Sequence, residues 1–98
     1  MTKRVLHLTL KRKHFDAMVR GEKNEEYREI KPYWVTRLEG KTFDEVLFMN
    51  GYGNGAPSMR RDWLGLGPTV FFEGKKCYCI KLGPVRDLKN CPRWEARA

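Results

Sequence analysis

Residues 4–10 alternate, with Leu6, Leu8 and Leu10 on one face and Val5, His7 and Thr9 on the other. That period of two predicts a half-buried strand. From Lys11 the period changes. Phe15, Met18 and Val19 fall at helical spacing over Lys11 to Arg20, and Gly21 stands where a left-handed residue closes a helix. Pro32 is placed to begin a second short helix through Leu38, and Gly40 to end it. Trp34 and Leu38, four apart, share a face for core packing, which points Tyr33 elsewhere. Val46-Leu47-Phe48-Met49 is a continuous apolar run and predicts a strand buried on both faces. Met59 to Leu66 predicts another strand. Thr69 to Phe72 and Lys76 to Gly83 predict a hairpin turning at Glu73-Gly74-Lys75, with Tyr78, Ile80 and Leu82 on one face and Cys77, Cys79 and Lys81 on the other.

One predicted strand breaks the apolar pattern. In Gly21-Glu22-Lys23-Asn24-Glu25-Glu26-Tyr27-Arg28-Glu29-Ile30, charge falls on both faces. Alternation puts Glu26 and Arg28 with Ile30, and Glu25, Tyr27 and Glu29 opposite. Unpaired charges are too costly to bury, so this strand cannot lie sandwiched in the core. It is either a solvated edge strand or the wall of a cleft in which Lys23, Glu26 and Arg28 form a coupled polar cluster. Lys23 sits at the turn and is free to swing toward the other two. An Arg beside a carboxylate is held by bidentate pairing, so Arg28 is open to a structural as well as a ligand-binding reading.

The spacing G-x-K-x-x-E-x-R, filled by Gly21, Lys23, Glu26 and Arg28, resembles the signature of the ASCH domain family. Leu6-His7-Leu8-Thr9-Leu10-Lys11 before it, Lys31-Pro32-Tyr33-Trp34 after it and the late Ile80-Lys81-Leu82-Gly83 extend the likeness over most of residues 4–84. It is nearest to small stand-alone members of bacterial and phage-like type. The resemblance implies a PUA-like small β-barrel with a cleft beside the motif and an association with RNA. Together with the periodicities, it gives an expectation of an α+β, mainly β domain of about five to six strands with two short helices. Some members of the family are enzymes acting on RNA or on modified nucleosides. For this chain that implies two chemistries, metal-independent cleavage of single-stranded RNA or hydrolysis of an acyl group from a modified cytidine. Either would use Lys23, with Glu26 beside it; for the nuclease the set is Lys23 with Tyr27 or Tyr33. In amidohydrolase-type members a threonine takes the position of Glu26 and a distal glutamate completes the site; here Glu73 is the only nearby candidate.

Composition bounds these readings. Ninety-eight residues make one domain, with a core over about 4–84 and a basic segment over 85–98 that carries Arg86, Lys89, Arg93, Trp94 and Arg97. The formal charge of +8 favours a polyanionic partner. It is unevenly spread: residues 1–20 carry +5, residues 21–45 carry −2 and residues 46–98 carry +5. An acidic middle containing the motif is thus framed by basic segments. Lys11, Arg12 and Lys13 open the first helix, where positive charge opposes the macrodipole, so an anion contact is an alternative to plain solvation. Of Arg60 and Arg61, on opposite faces of their strand, one should face solvent and reach phosphate. Asn50-Gly51-Tyr52-Gly53-Asn54-Gly55-Ala56-Pro57 is the one strong loop signal, read as a flexible connection or as a cleft rim whose Tyr52 stacks a base. The candidate nucleic-acid-binding set is therefore Lys11, Lys13, Lys23, Arg28, Tyr33, Tyr52, Arg60 and Arg61, and the candidate catalytic set is Lys23, Glu26 and Tyr27. The partner expected is RNA, single-stranded in preference, or a modified nucleoside; a protein-interaction module is the further alternative, since fold alone does not decide function.

Three cysteines, an odd number, argue against a disulfide framework and for a reducing compartment. Cys77-x-Cys79 places two thiols on one strand face, but Cys91, His7 and His14 lack the spacing of further ligands, so packing thiols are expected and no metal or cofactor. Val5 to Leu10 is too short and too alternating for the apolar core of a signal peptide, and no run reaches membrane-spanning length. Cytoplasm is the expected location, with no membrane partner.

Overall fold

A computed structural model describes residues 2–91. Arg93, Trp94 and Arg97, singled out in the basic C-terminal segment, lie outside the described residues. In chain order the elements are β1 (Val5–Leu10), α1 (Arg12–Val19), β2 (Glu25–Glu29), α2 (Pro32–Leu38), β3 (Glu45–Asn50), β4 (Ser58–Phe72) and β5 (Lys75–Lys89). The molecule is the expected α+β, mainly β domain with two short helices. Its strands form one five-stranded sheet in the order β1-β3-β4-β5-β2. β1 runs parallel to β3, and every other neighbouring pair is antiparallel.

The alternation in β1 does what its period requires: Leu6, Leu8 and Leu10 are buried, and they meet Val46 and Phe48 of β3, Met59 of β4 and Ile80 of β5. Phe15 and Met18 from α1 and Leu38 from α2 complete this core. α1 ends as Gly21 suggested. At φ +78° Gly21 donates to Met18 O, and Glu22 donates to Ala17 O, the paired bonds of a Schellman motif. That motif turns the chain from the helix into β2 and sets Lys23 at the strand's entry.

Four expectations need correction. β3 is not buried on both faces: Val46 and Phe48 are fully buried, but Leu47 and Met49 on the opposite face are only partly so. The strands expected over 59–66 and 69–72 are one continuous strand, β4. Gly65, Gly67 and Pro68 do not break it, because two register shifts against β5, between Trp63 and Leu66 and between Gly67 and Val70, absorb them as bulges. Residues 85–89, expected as a last short strand ahead of a basic end, extend β5 without a break to Lys89. The hairpin turn is tighter than expected. Glu73 (φ 52°) and Gly74 (φ 77°) alone connect Phe72 to Lys75, the two left-handed positions of a type I′ turn.

The fold creates a gap. β1 and β2 stand at opposite ends of the strand order, yet Arg28 Nη2 on β2 donates to the Thr9 carbonyl on β1 at 3.1 Å. The sheet therefore curls until its two edges nearly meet, and a side chain spans what remains between them.

Candidate functional site

Two consecutive elements build the charged centre. β2 pairs with β5 so that Glu26 lies opposite Ile80 and Arg28 opposite Tyr78, on the core side of the sheet. Glu26 is only 6% exposed, a burial its carboxylate tolerates because two cations meet it. Arg28 donates to Glu26 Oε2 from Nε at 2.9 Å and from Nη2 at 2.6 Å, while Lys23 Nζ lies 3.4 Å from Oε1. Both carboxylate oxygens are thus engaged within the cluster. Glu26 holds the two cations in place.

Arg61 was expected to be a candidate for solvent and phosphate. The structure buries it instead, at 2% exposure. Its Nε donates to Gly83 O at 2.7 Å, Nη1 to Lys23 O at 2.7 Å and Nη2 to Asn24 Oδ1 at 2.6 Å. The position on β4 that faces the core also faces the turn leading into β2, so this guanidinium fastens that turn from beneath. Arg60 takes the outer face and pairs with the buried carboxylate of Glu45 at 2.7 Å. Glu45 also receives Lys3 and Arg86, at the end of β3 opposite Asn50 and away from the gap between the sheet edges.

A cleft of about 630 Å³ occupies that gap. Arg28 and Lys11 line it, with Tyr33 and Trp34 from the start of α2 and Asn50, Gly51 and Tyr52 from the glycine-rich loop. Among the described residues no carboxylate lines it. Tyr52 is 88% exposed and Tyr33 53% exposed, so two phenol rings stand at the rim. Arg37 lies over the Tyr33 ring at 3.6 Å, Tyr33 meets Trp34 edge-on, and Arg28 lies 5.0 Å from the Trp34 ring. Of the Arg28 guanidinium, Nε and Nη2 are engaged; Nη1 has no hydrogen-bond partner among the described residues. The Lys11 ammonium likewise has none there. α1 begins beside it, without a side-chain cap.

The structure brings Lys11, Arg28, Tyr33 and Tyr52 together and leaves the others apart. Lys13 is exposed on α1 outside the cleft lining. Lys23, in the turn before β2, opens to a separate concavity of about 450 Å³ with Tyr27 and Lys81. Its ammonium lies 5.0 Å from the Tyr27 ring. The two cations of the motif therefore face different cavities, with Glu26 between them. Tyr27 donates to Glu25 at 2.8 Å, and that bond, with burial, pushes its phenol up to about 12. Near neutrality it is a hydrogen-bond donor and not a base. Cys77 and Cys79 are free thiols buried on the other side of β5. Burial foremost, with Glu29 and Glu25 nearby, pushes both thiols up and keeps them protonated.

Two cleft residues carried a sequence signal that pointed elsewhere. Trp34 shares the core-facing spacing of Leu38, and it does pack against the core, but its other side forms the cleft wall. Asn50 ends the β3 run; its amide donates to Leu10 O at 3.2 Å, which leaves its oxygen to the cleft. Nothing in the local sequence places β3's end beside β1's. Comparison with protein-family models, with curated proteins and with solved structures found no match.

Proposed function

We propose that this chain is an ASCH-type domain that binds single-stranded RNA, or a nucleoside derived from it, in the cleft between its two sheet edges. The observation that carries the reading is the lining of that cleft: cations and exposed aromatic rings with no carboxylate among them. Phosphate needs fixed positive charge, and a base needs a flat apolar face. Lys11 and the free Nη1 of Arg28 supply the first, Tyr33 and Tyr52 the second, and the Asn50 amide oxygen accepts from a base edge. The formal charge of +8 favours the same class of partner. In this reading Glu26 and Arg61 bind nothing themselves; they position Arg28 and the turn that carries Lys23.

Fluorescence anisotropy with a labelled single-stranded RNA tests it. Binding should weaken as salt rises, and Tyr52→Ala should weaken it roughly tenfold, the low end of one stacked base. Unchanged affinity in Tyr52→Ala and Lys11→Ala together would sink the cleft as the binding surface.

A second reading, an enzyme acting on RNA or on an acylated cytidine, draws on one observation. Lys23 lies in a concavity of its own, its ammonium held between a carboxylate and a phenol ring. A protonated lysine there can stabilise charge developing on a phosphate or a tetrahedral oxyanion. Incubation of RNA with the protein in EDTA decides it: cleavage lost in Lys23→Ala supports the enzyme, and intact RNA with the parent protein removes the nuclease.

A further inference from the structure

The cleft continues past Arg28. Beyond the Arg28 and Trp34 side chains a second concavity of about 330 Å³ opens, and these two residues line both. Its outer wall is the tip of the β4–β5 hairpin. There Phe72 is 39% exposed and its ring lies 5.0 Å from that of Tyr27, which lines the same concavity, while Phe71 takes the opposite face of β4. The type I′ turn next to Phe72 holds it at a fixed place.

Cations stand beside these rings. Arg28, Lys31 and Lys75 line the concavity, and Lys75 is the cross-strand neighbour of Phe72. The carboxylates of the lining are largely spoken for: Glu26 by Lys23 and Arg28, and Glu29 by Lys75 at 3.6 Å. Among the described residues Lys31 has no hydrogen-bond or ion-pair partner, and Glu73 is the one lining carboxylate without a cation.

We propose that the hairpin tip is a second subsite for the same nucleic-acid strand, taking nucleotides that follow the one in the cleft. This rests on the RNA reading above. Exposed aromatic rings between lysines make a sequence-tolerant stacking platform with phosphate contacts on either side. The shared Arg28–Trp34 wall makes the two sites one path. A partner protein docking on these rings would have to desolvate or pair Lys31 and Lys75, whereas a phosphodiester chain is attracted by them. The natural ligand of this surface is therefore an oligonucleotide and not a free nucleoside.

The test compares the parent protein with Phe72→Ala and Lys31→Ala, both on exposed side chains that line the concavity, against a single-stranded RNA of about eight nucleotides, within the ~4–16 range of single-strand-binding domains. Phe72→Ala changes no charge, so a loss of affinity of roughly tenfold, expected here, reports stacking. Lys31→Ala should reduce the slope of log affinity against log salt by about 0.7, one phosphate contact. Parent affinity and salt slope retained in both variants would overturn the subsite while leaving the cleft standing. No binding by the parent at low salt would instead sink the cleft reading, and the subsite with it. A third arm uses a dinucleotide: binding as tight as that of the longer RNA would also overturn the second subsite.

Discussion

Arg61 donates from all three guanidinium nitrogens to acceptors on two other segments, Gly83 in β5 and Lys23 and Asn24 before β2. Replacing it with methionine would fill the space but strand those acceptors. At about 1–3 kcal/mol for each buried group left unpaired, Arg61→Met should cost at least about 2 kcal/mol, read as a lower urea midpoint. Arg61→Lys should not restore it, since one ammonium cannot span the fork. An unchanged midpoint in Arg61→Met would mean the turn is held by something else. Glu26 is the second residue on which the site depends. Glu26→Gln removes the charge that joins Lys23 to Arg28, at an expected cost of about 1.5–3 kcal/mol for charged hydrogen bonds. If the cluster acts as a unit, Arg28→Met added to Glu26→Gln should cost less than the two changes separately, a coupling a double-mutant cycle measures.

At the scale of elements, ionisable contacts tie strands and helices together and make stability depend on pH at both ends. Burial works to raise the Glu45 carboxyl, but Lys3 and Arg60 outweigh it and hold it below the usual carboxylate range. Its unfolded form binds a proton more readily than the folded form. This contribution is thus present above the unfolded pKa and lost as pH falls through the folded one. Glu45→Gln should flatten the acid limb of stability against pH. At the alkaline end, the Tyr78 hydroxyl of β5 donates to Glu39 at the end of α2, which, ahead of burial, pushes it from 10.0 to about 12. A raised pKa has the opposite sign: the contribution is complete below 10.0 and disappears as pH rises toward about 12. Urea midpoints measured across that window should fall in the parent and fall less in Tyr78→Phe. Equal falls would show that the Tyr78–Glu39 bond does not couple α2 to the sheet.

For the whole molecule, curvature of the sheet matters more than any single strand. An open five-stranded sheet leaves two edges as templates for unwanted pairing. Here the edges face each other, β2 is short and charged, and Arg28 bridges to Thr9. The gap that protects the edges is also the cleft. If Lys11 and Arg28 each neutralise one phosphate, the log–log salt slope of RNA affinity should include about −1.4 from them, and Lys11→Ala should reduce it by about 0.7. A slope unaltered in Lys11→Ala would remove that lysine from the interface. Among the described residues no helix is long and apolar enough to cross a membrane.

By itself the sequence determined what local chemistry determines. The period of Leu6, Leu8 and Leu10 named a strand and its buried face; Gly21 and Pro32 marked where one helix stops and another starts. The spacing of Lys23, Glu26 and Arg28 announced a polar cluster, because residues two apart on a strand share a face. Only the tertiary structure decided how that cluster is used. Register against β5 turned Glu26 inward, the curl of the sheet carried Arg28 across to β1, and the same curl sent Lys23 to another cavity. Arg60 and Arg61 look alike in sequence, and pleat parity puts them on opposite faces without saying which face meets the core. Gly65, Gly67 and Pro68 read locally as a break, yet pairing with β5 carries the strand through them with bulges. Those outcomes depend on partners distant in sequence, which no local pattern encodes.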